Sequence, residues 1–393
     1  MKFNYFMPTR LIFGVKSLRK LIGSPYIPGT KALVVIGAGG AMRKNGYLER
    51  VIEYLGRRKI EAVVFDKILA NPVSEHVDEG AGIARENQCD FVLGLGGGST
   101  IDSAKSIALM AANPGQYWDY IWGGSGGNKV APESALPIVA IPTTAGTGTE
   151  VDPWTVITKT DTNEKIGWGR DDTFPTLAIV DPELMISVPS KITAYTGMDA
   201  FFHAVEAYLA TISHPASDIY ALEAIEIITQ NLPKAVVDGN DIDARTKLAW
   251  ASTAAGICES LSSCISHHAM EHALSAYHPD LPHGAGLTLL SKAYFAYLAA
   301  KVPGRFIPMA KAMGEDLGGT REEEKPMRFI RALDKLIESI GLKEERLSDY
   351  GITSEESGTL AQNAFDTMGG LFRVTPVKMS KEDVIAIYKS VLG

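Results

Sequence analysis

The sequence predicts a molecule in two parts, an α/β Rossmann-like domain over residues 1–188 and an all-helical domain over residues 189–393. Two observations predict the first part. Short apolar runs that end in glycine or proline recur along it, and each is followed by an amphipathic stretch. A third predicts the second part: after "LMISVPSK" (184–191) that cadence stops and long stretches rich in alanine, leucine and isoleucine take over.

The runs are "ALVVIGAGG" from 32, "EAVVFD" from 61, "FVLGLGGGS" from 91, "PIVAIPTTAGTG" from 137 and "TLAIVDP" from 176. Their unbroken β-branched character marks strands covered on both faces, as in a parallel sheet with helices on each side. The helical half is expected to carry helices over 193–212, 215–231 and 243–263, punctuated by "NLPKAVVDGN", "KVPGRF" and "LGGT". No tandem repeat or low-complexity tail interrupts it.

With 393 residues, 46% hydrophobic and 21% charged, the chain is long enough for two separate cores. A net charge of −8 with no basic run argues against nucleic acid or an anionic membrane surface as partner. The opening "MKFNYFMPTRLIFG" lacks the basic-then-apolar order of a signal peptide, and no apolar segment is long enough to span a bilayer. A cytoplasmic location is therefore expected. Cys89, Cys258 and Cys264 form no CxxC pair, so they read as buried thiols, and a metal pair of Cys264 with His267 is the weaker alternative.

"FVLGLGGGSTIDSAK" reads as strand, tight turn and helix start, with Gly96, Gly97 and Gly98 at the bend and Ser99 to Asp102 opening the helix. Glycines there let backbone amides approach a pyrophosphate at the positive end of the helix dipole. The GxGxxG spacing is met only loosely, and the turn comes late in its domain. "IPTTAGTGTE" (141–150) is a second post-strand loop, rich in hydroxyls. Two such loops favour a dinucleotide. The first βα turn, "VVIGAGGAMRKNG", brings Gly39 and Gly40 with Arg43 and Lys44 behind them, and no acidic residue for a ribose hydroxyl. That leans toward NADP over NAD.

Five of eight histidines fall within "HHAMEHALSAYHPDLPHG" (267–284). In "TGMDAFFHAVEAYLA", Asp199 and His203 are four residues apart, hence one helical turn apart on one face, and His268 and His272 repeat the spacing. A carboxylate with several imidazoles suits iron(II) or zinc. His283 follows in a loop that could return to the same ion. His214 and His278 precede prolines and read as loop residues, and His76 reads as solvated. Trp154, Phe201 and Phe202 serve equally as pocket liners or core.

"GLGGGSTIDSAK", "IPTTAGTGTEV", "GMDAFFHAVEAY" and "HHAMEHALSAYHPDLPHGAGL" together resemble the iron-containing (group III) alcohol dehydrogenases over essentially the whole chain. The resemblance implies the dehydroquinate synthase-like fold, with cofactor and metal in a cleft between its domains. It implies Asp199, His203, His268 and His283 as metal ligands and His272 as the imidazole beside nicotinamide and substrate. It further implies cofactor contacts from Gly39, Gly40, Asn71, Gly97, Gly98, Ser99, Asp102, Thr143, Thr144, Thr147, Lys165 and Leu184. His267 and His278 are left as bystanders.

Two departures stand out. The His272–His283 segment is one residue longer than in some members, and Gly37 to Ala41 resembles the glycine-rich turn of NADP-using relatives without their serine. The expected activity is reversible, metal-dependent, NAD(P)-linked oxidation of a short primary alcohol, in a homodimer or larger homo-oligomer. The alternatives are a zinc-dependent polyol dehydrogenase of the glycerol type, a metal-dependent hydrolase, and a non-catalytic nucleotide sensor.

Overall fold

The computed structural model describes residues 2–392. The chain falls into two compact units: Met7–Val188, and Pro189–Gly393 together with the segment through Phe6. Residues 2–6 therefore group with the helical unit. Phe3 stacks on His214 (4.2 Å between ring centres), which ties that segment to the helical unit.

The α/β unit contains strands β1 (Arg10–Phe13), β2 (Lys31–Gly37), β3 (Glu61–Ile68), β4 (Phe91–Gly96), β5 (Ile138–Pro142), β6 (Trp154–Lys159), β7 (Glu164–Gly169) and β8 (Leu177–Val180). Its helices are α1 (Ala41–Lys44), α2 (Tyr47–Gly56), α3 (Ser74–Glu86) and α4 (Gly98–Ala112). Six strands form one sheet in the order β1-β8-β5-β4-β2-β3, and every pairing is parallel. β4 and β5 are buried along their whole length, which is why they read as continuous apolar runs. On one face Val34, Ile36, Leu93, Leu95, Val139 and Ile179 pack with Leu48, Val51 and Leu55 of α2.

The strand order places the topological switch between β2 and β4, since the chain leaves β2 for β3 on one side and returns to β4 on the other. In open parallel sheets ligands bind outside the carboxyl ends of the strands at that point. The Gly39–Gly40 turn follows β2 and the Gly96–Gly98 turn follows β4, so both lie there. β1, an edge strand on β8 of its own chain, and the antiparallel hairpin β6–β7 lie outside the five apolar runs. Four residues are too few for a periodic signal in β1, and the hairpin is closed by "TDTN", whose Asn163 adopts a φ of 52°.

The helical unit contains α5 (Ser190–Leu209), α6 (Pro215–Val237), α7 (Ile242–Leu261), α8 (Ser266–Tyr277), α9 (His283–Lys301), α10 (Pro303–Ala312), α11 (Lys325–Ser339), α12 (Ser357–Val374) and α13 (Lys381–Leu392). α5 is buried from Gly197 to Leu209 and α8 from Ser266 to Ala276, so both are enclosed on every side. A helix with no wet face has no use for a polar stripe. Its polar residues must then be satisfied by partners, and those of α5 and α8 are the ones that build the site. None of the described helices is long and apolar enough to cross a membrane.

Candidate metal centre and dinucleotide cradle

Three imidazole nitrogens converge on one carboxylate oxygen. Asp199 Oδ1 lies 3.5 Å from His203 Nδ1, 3.8 Å from His268 Nε2 and 3.5 Å from His283 Nε2. Asp199 and His203 come from α5, His268 from α8, and His283 is the first residue of α9. Its approach depends on Gly284, where a Cβ would stand 2.1 Å from the backbone oxygen of Tyr195 in α5. Only glycine lets the start of α9 come this close. The ring of His272, one turn after His268, is centred 6.2 Å from that of His268 and 5.5 Å from that of His283.

In the α/β unit, Gly97 caps α4, and Thr143 N donates to Gly96 O (2.9 Å), which joins the second loop to the glycine turn. A Cβ on Gly97 would meet Thr144 Oγ1 at 3.2 Å and one on Gly98 would meet Thr147 Cγ2 at 2.3 Å. The resemblance-derived residues Gly97, Gly98, Thr143, Thr144 and Thr147 therefore form one surface. Lys165 Nζ donates to Asn71 Oδ1 (3.4 Å), and Ser99 Oγ donates to Ala70 O, which brings Lys165, Asn71 and Ser99 to the same end of the sheet. Gly40 is held at a φ of 73° at the start of α1, with Gly39 exposed beside it.

Two of the expected cofactor contacts have buried side chains. Leu184 is fully enclosed in the core beneath β2 and β8. Asp102 is turned inward: its Oδ1 accepts from Thr149 Oγ1 (2.6 Å) and its Oδ2 from Val156 N (2.9 Å). It braces α4 against the second loop and β6, joined there by the fully buried Lys105, which donates to Thr149 Oγ1 (2.6 Å) and Asp152 Oδ1 (2.9 Å). Phe201 and Phe202 belong to a buried aromatic cluster with Phe295 and Phe329, so they are core and not pocket.

Two family models cover the chain. Residues 8–182 match "Iron-containing alcohol dehydrogenase" and residues 193–392 match "Fe-containing alcohol dehydrogenase family, C-terminal". The chain belongs to the iron-containing alcohol dehydrogenase family. It is 33% identical to 1,3-propanediol dehydrogenase of Klebsiella pneumoniae, with 98% of each chain covered. It is 32% identical to NAD-dependent methanol dehydrogenase of Bacillus methanolicus, over 99% of this chain and 100% of that one. Among solved structures, an archaeal halo-thermophilic alcohol dehydrogenase from a Red Sea brine pool superposes with a TM-score of 0.95 at 36% identity, covering 100% of this chain and 99% of that one.

As a member of this family the protein is an oxidoreductase acting on alcohols, and family membership implies iron and NAD(H). The hydrolase and nucleotide-sensor alternatives fall away, and the relatives support the alcohol dehydrogenase reading over the zinc-dependent polyol dehydrogenase.

The donor set fits iron(II). Asp199 Oδ1, His203 Nδ1 and His268 Nε2 are all enclosed, and none has a hydrogen-bond partner. Buried polar atoms are rarely left so unless something else engages them. Burial pushes the Asp199 carboxyl up, but His203, His268 and His283 outweigh it and hold its pKa at about 2. Burial likewise works against the His268 cation, but Glu206 and Asp199 outweigh it and raise its pKa to about 10. Glu206, opposed by burial, is held below the ordinary carboxylate range by His268 and His267. A bound cation displaces such protons, so its affinity rises with pH.

Several side chains here carry roles that the sequence reading missed. His267 is fully buried, with Nδ1 2.8 Å from Glu206 Oε1 and Nε2 3.0 Å from Leu287 O, so it is a structural member of the site and not a bystander. His214 caps α6 and reaches Leu261 O (3.0 Å) through Nε2. His278 meets Glu356 (2.8 Å). Cys264 donates to Glu259 (3.3 Å), and its sulfur lies within 4.8 Å of ring nitrogens of His203 and His268. The signal for Glu206 and Glu271 is in the sequence: "HAVE" (203–206) and "HAME" (268–271) each place a glutamate three residues after a histidine that faces Asp199.

Proposed function

We propose that the protein interconverts a short primary alcohol and its aldehyde, with hydride exchanged between the substrate carbon and nicotinamide, at an iron(II) ion held by Asp199, His203, His268 and His283. The observation that carries this reading is the convergence of three imidazole nitrogens, at 3.5–3.8 Å, on one buried carboxylate oxygen. Iron at this position supplies a Lewis acid for the substrate oxygen.

The chain's own residues supply the rest. Asp199 contributes the negative charge that offsets a divalent cation, and the helices α5, α8 and α9 hold the imidazoles in place before it arrives. His272 holds or moves the hydroxyl proton through its ring nitrogens, one of which can donate while the other accepts. Gly97, Gly98 and the α4 N-terminus bind the pyrophosphate through backbone amides. Thr143, Thr144 and Thr147 provide hydroxyls beside it, and Lys165, hydrogen-bonded to Asn71, is a further cofactor contact.

The cofactor is NAD or NADP, and Arg43 bears on the choice. Its guanidinium pairs with Asp66 (2.9 Å) at the end of β3, so a 2′-phosphate would have to compete with that carboxylate. Purified protein loaded with iron(II) without air should reduce short aldehydes with a fall in absorbance of the reduced cofactor. Absence of turnover across a panel of short alcohols and aldehydes with both cofactors would overturn the proposal.

A further inference from the structure

The repeated H-A-x-E pattern has a consequence in three dimensions: each glutamate serves an imidazole from a different helix. Glu206 of α5 reaches His268 of α8, with Oε1 2.6 Å from Nδ1. Glu271 of α8 reaches Nδ1 of His283 at the start of α9. Both glutamates are fully buried. In each case the ring nitrogen left over, Nε2, is the one that faces Asp199 Oδ1.

We propose that Glu206 and Glu271 are positioning residues for the metal centre, each fixing the tautomer and orientation of one ligand histidine. This rests on Asp199, His203, His268 and His283 being the metal ligands. The glutamate oxygen accepts from Nδ1 of each ring, so Nδ1 is the nitrogen that keeps its proton and Nε2 is the one left to the ion when it binds. Partners of this kind orient ligand imidazoles and raise their basicity in other metalloproteins, and their loss typically weakens metal binding by roughly 10- to 100-fold.

Glu206 is itself anchored. Its Oε2 accepts from Ile265 N (2.8 Å) and His268 N (3.3 Å), and its Oε1 also meets His267 Nδ1 (2.8 Å). His267 lies between two acceptors, Glu206 Oε1 on Nδ1 and the Leu287 carbonyl on Nε2 (3.0 Å), and these two contacts hold its ring in place. The chain of contacts runs from α9 through His267 to Glu206 and then to His268, so three helices set one ligand. Glu271 is fixed more simply: a Cβ on Gly286 would stand 2.9 Å from its Cγ, so only glycine in α9 leaves room for it.

The test uses the full-length protein, stripped of metal and titrated with cobalt(II) against a competing chelator, with the visible cobalt spectrum recorded alongside. Glu206→Gln and Glu271→Gln keep side-chain size and remove charge. Each should lose roughly 10- to 100-fold in cobalt affinity and show a shifted or weakened d–d band. Melting temperature measured with chelator present monitors folding separately. A purely structural role would move that temperature and leave the affinity and spectrum of the folded fraction as in the parent. That result in either folded variant would overturn the proposal. If one variant does not fold, the other, on a different ligand, still decides. If the parent protein binds no cobalt near one equivalent, the ligand assignment itself has failed.

Discussion

Replacing Gly98 by alanine should weaken cofactor binding while leaving the metal centre intact. The new Cβ would lie 2.3 Å from Thr147 Cγ2, 2.9 Å from Thr147 Oγ1 and 3.1 Å from Thr147 Cβ. Carbon atoms in contact sit about 3.5–4.0 Å apart. Rotating Thr147 about χ1 does not help, because its methyl, its hydroxyl and its Cβ are all too near. The second loop must move away from the glycine turn by about an ångström, and overpacking of that size costs about 1–3 kcal/mol.

If the cost falls on the bound geometry, cofactor affinity drops roughly 5- to 150-fold, at about 1.4 kcal/mol per decade. Fluorescence titration with NADH and NADPH measures it, with metal content determined on the same sample. Thr147→Ala added to Gly98→Ala should restore part of the loss, since the two positions share one contact. Unchanged cofactor affinity in Gly98→Ala would refute the idea that the two loops form one binding surface.

Four further outcomes follow from the structure. His268→Ala should remove metal and turnover together, and full activity in a metal-free variant would contradict the site. Lys105→Met strands the buried Asp152 carboxyl, already pushed up to about 7 by burial against the pull of Lys105; breaking one side of such a pair costs about 3–5 kcal/mol, visible as a lower denaturation midpoint. Asp90 is held below its ordinary pKa because the Thr30 and Lys31 amides and the Thr30 hydroxyl outweigh the opposing effect of burial. Its folded-state pKa is thus depressed, so its stabilisation is complete above about pH 4 and is lost as pH falls through the folded value. Asp90→Asn should therefore be less stable at pH 7, with the gap closing below about pH 4 in acid denaturation curves. Asp66→Asn frees Arg43 and should shift the ratio of NADPH to NADH efficiency severalfold toward NADPH; an unchanged ratio would remove Arg43 from cofactor choice.

Much of this was legible in the sequence because the chemistry is periodic. The strands β2, β4 and β5 are continuous apolar runs, and Asp199 and His203 sit one helical turn apart. The hairpin β6–β7 was missed because Trp154–Lys159 mixes apolar and hydroxyl residues with no glycine to end it. Leu184 and Asp102 show what the sequence does not display: their side chains turn inward, Asp102 onto Thr149 and Val156 and Leu184 into the core. Linear position carries no information about which way a side chain points.

The second set of residues around the metal was harder to see. Glu206 serves His268, 62 residues away, and His267 serves Glu206. Nothing in either local pattern announces the partner. The histidine cluster that draws attention in the sequence is divided by the fold: His268 and His283 face Asp199, His272 lies beside them, His267 is a buried anchor on Glu206, and His278 turns away to Glu356.

Metal dependence of hydride transfer tests the central claim most directly. Protein stripped of metal and reloaded with iron(II) without air should bind about one equivalent per chain through Asp199, His203, His268 and His283. It should then oxidise a short primary alcohol with the appearance of reduced cofactor, while the stripped protein and Asp199→Ala remain inactive. Equal activity in the stripped protein, or in Asp199→Ala without bound metal, would contradict the account.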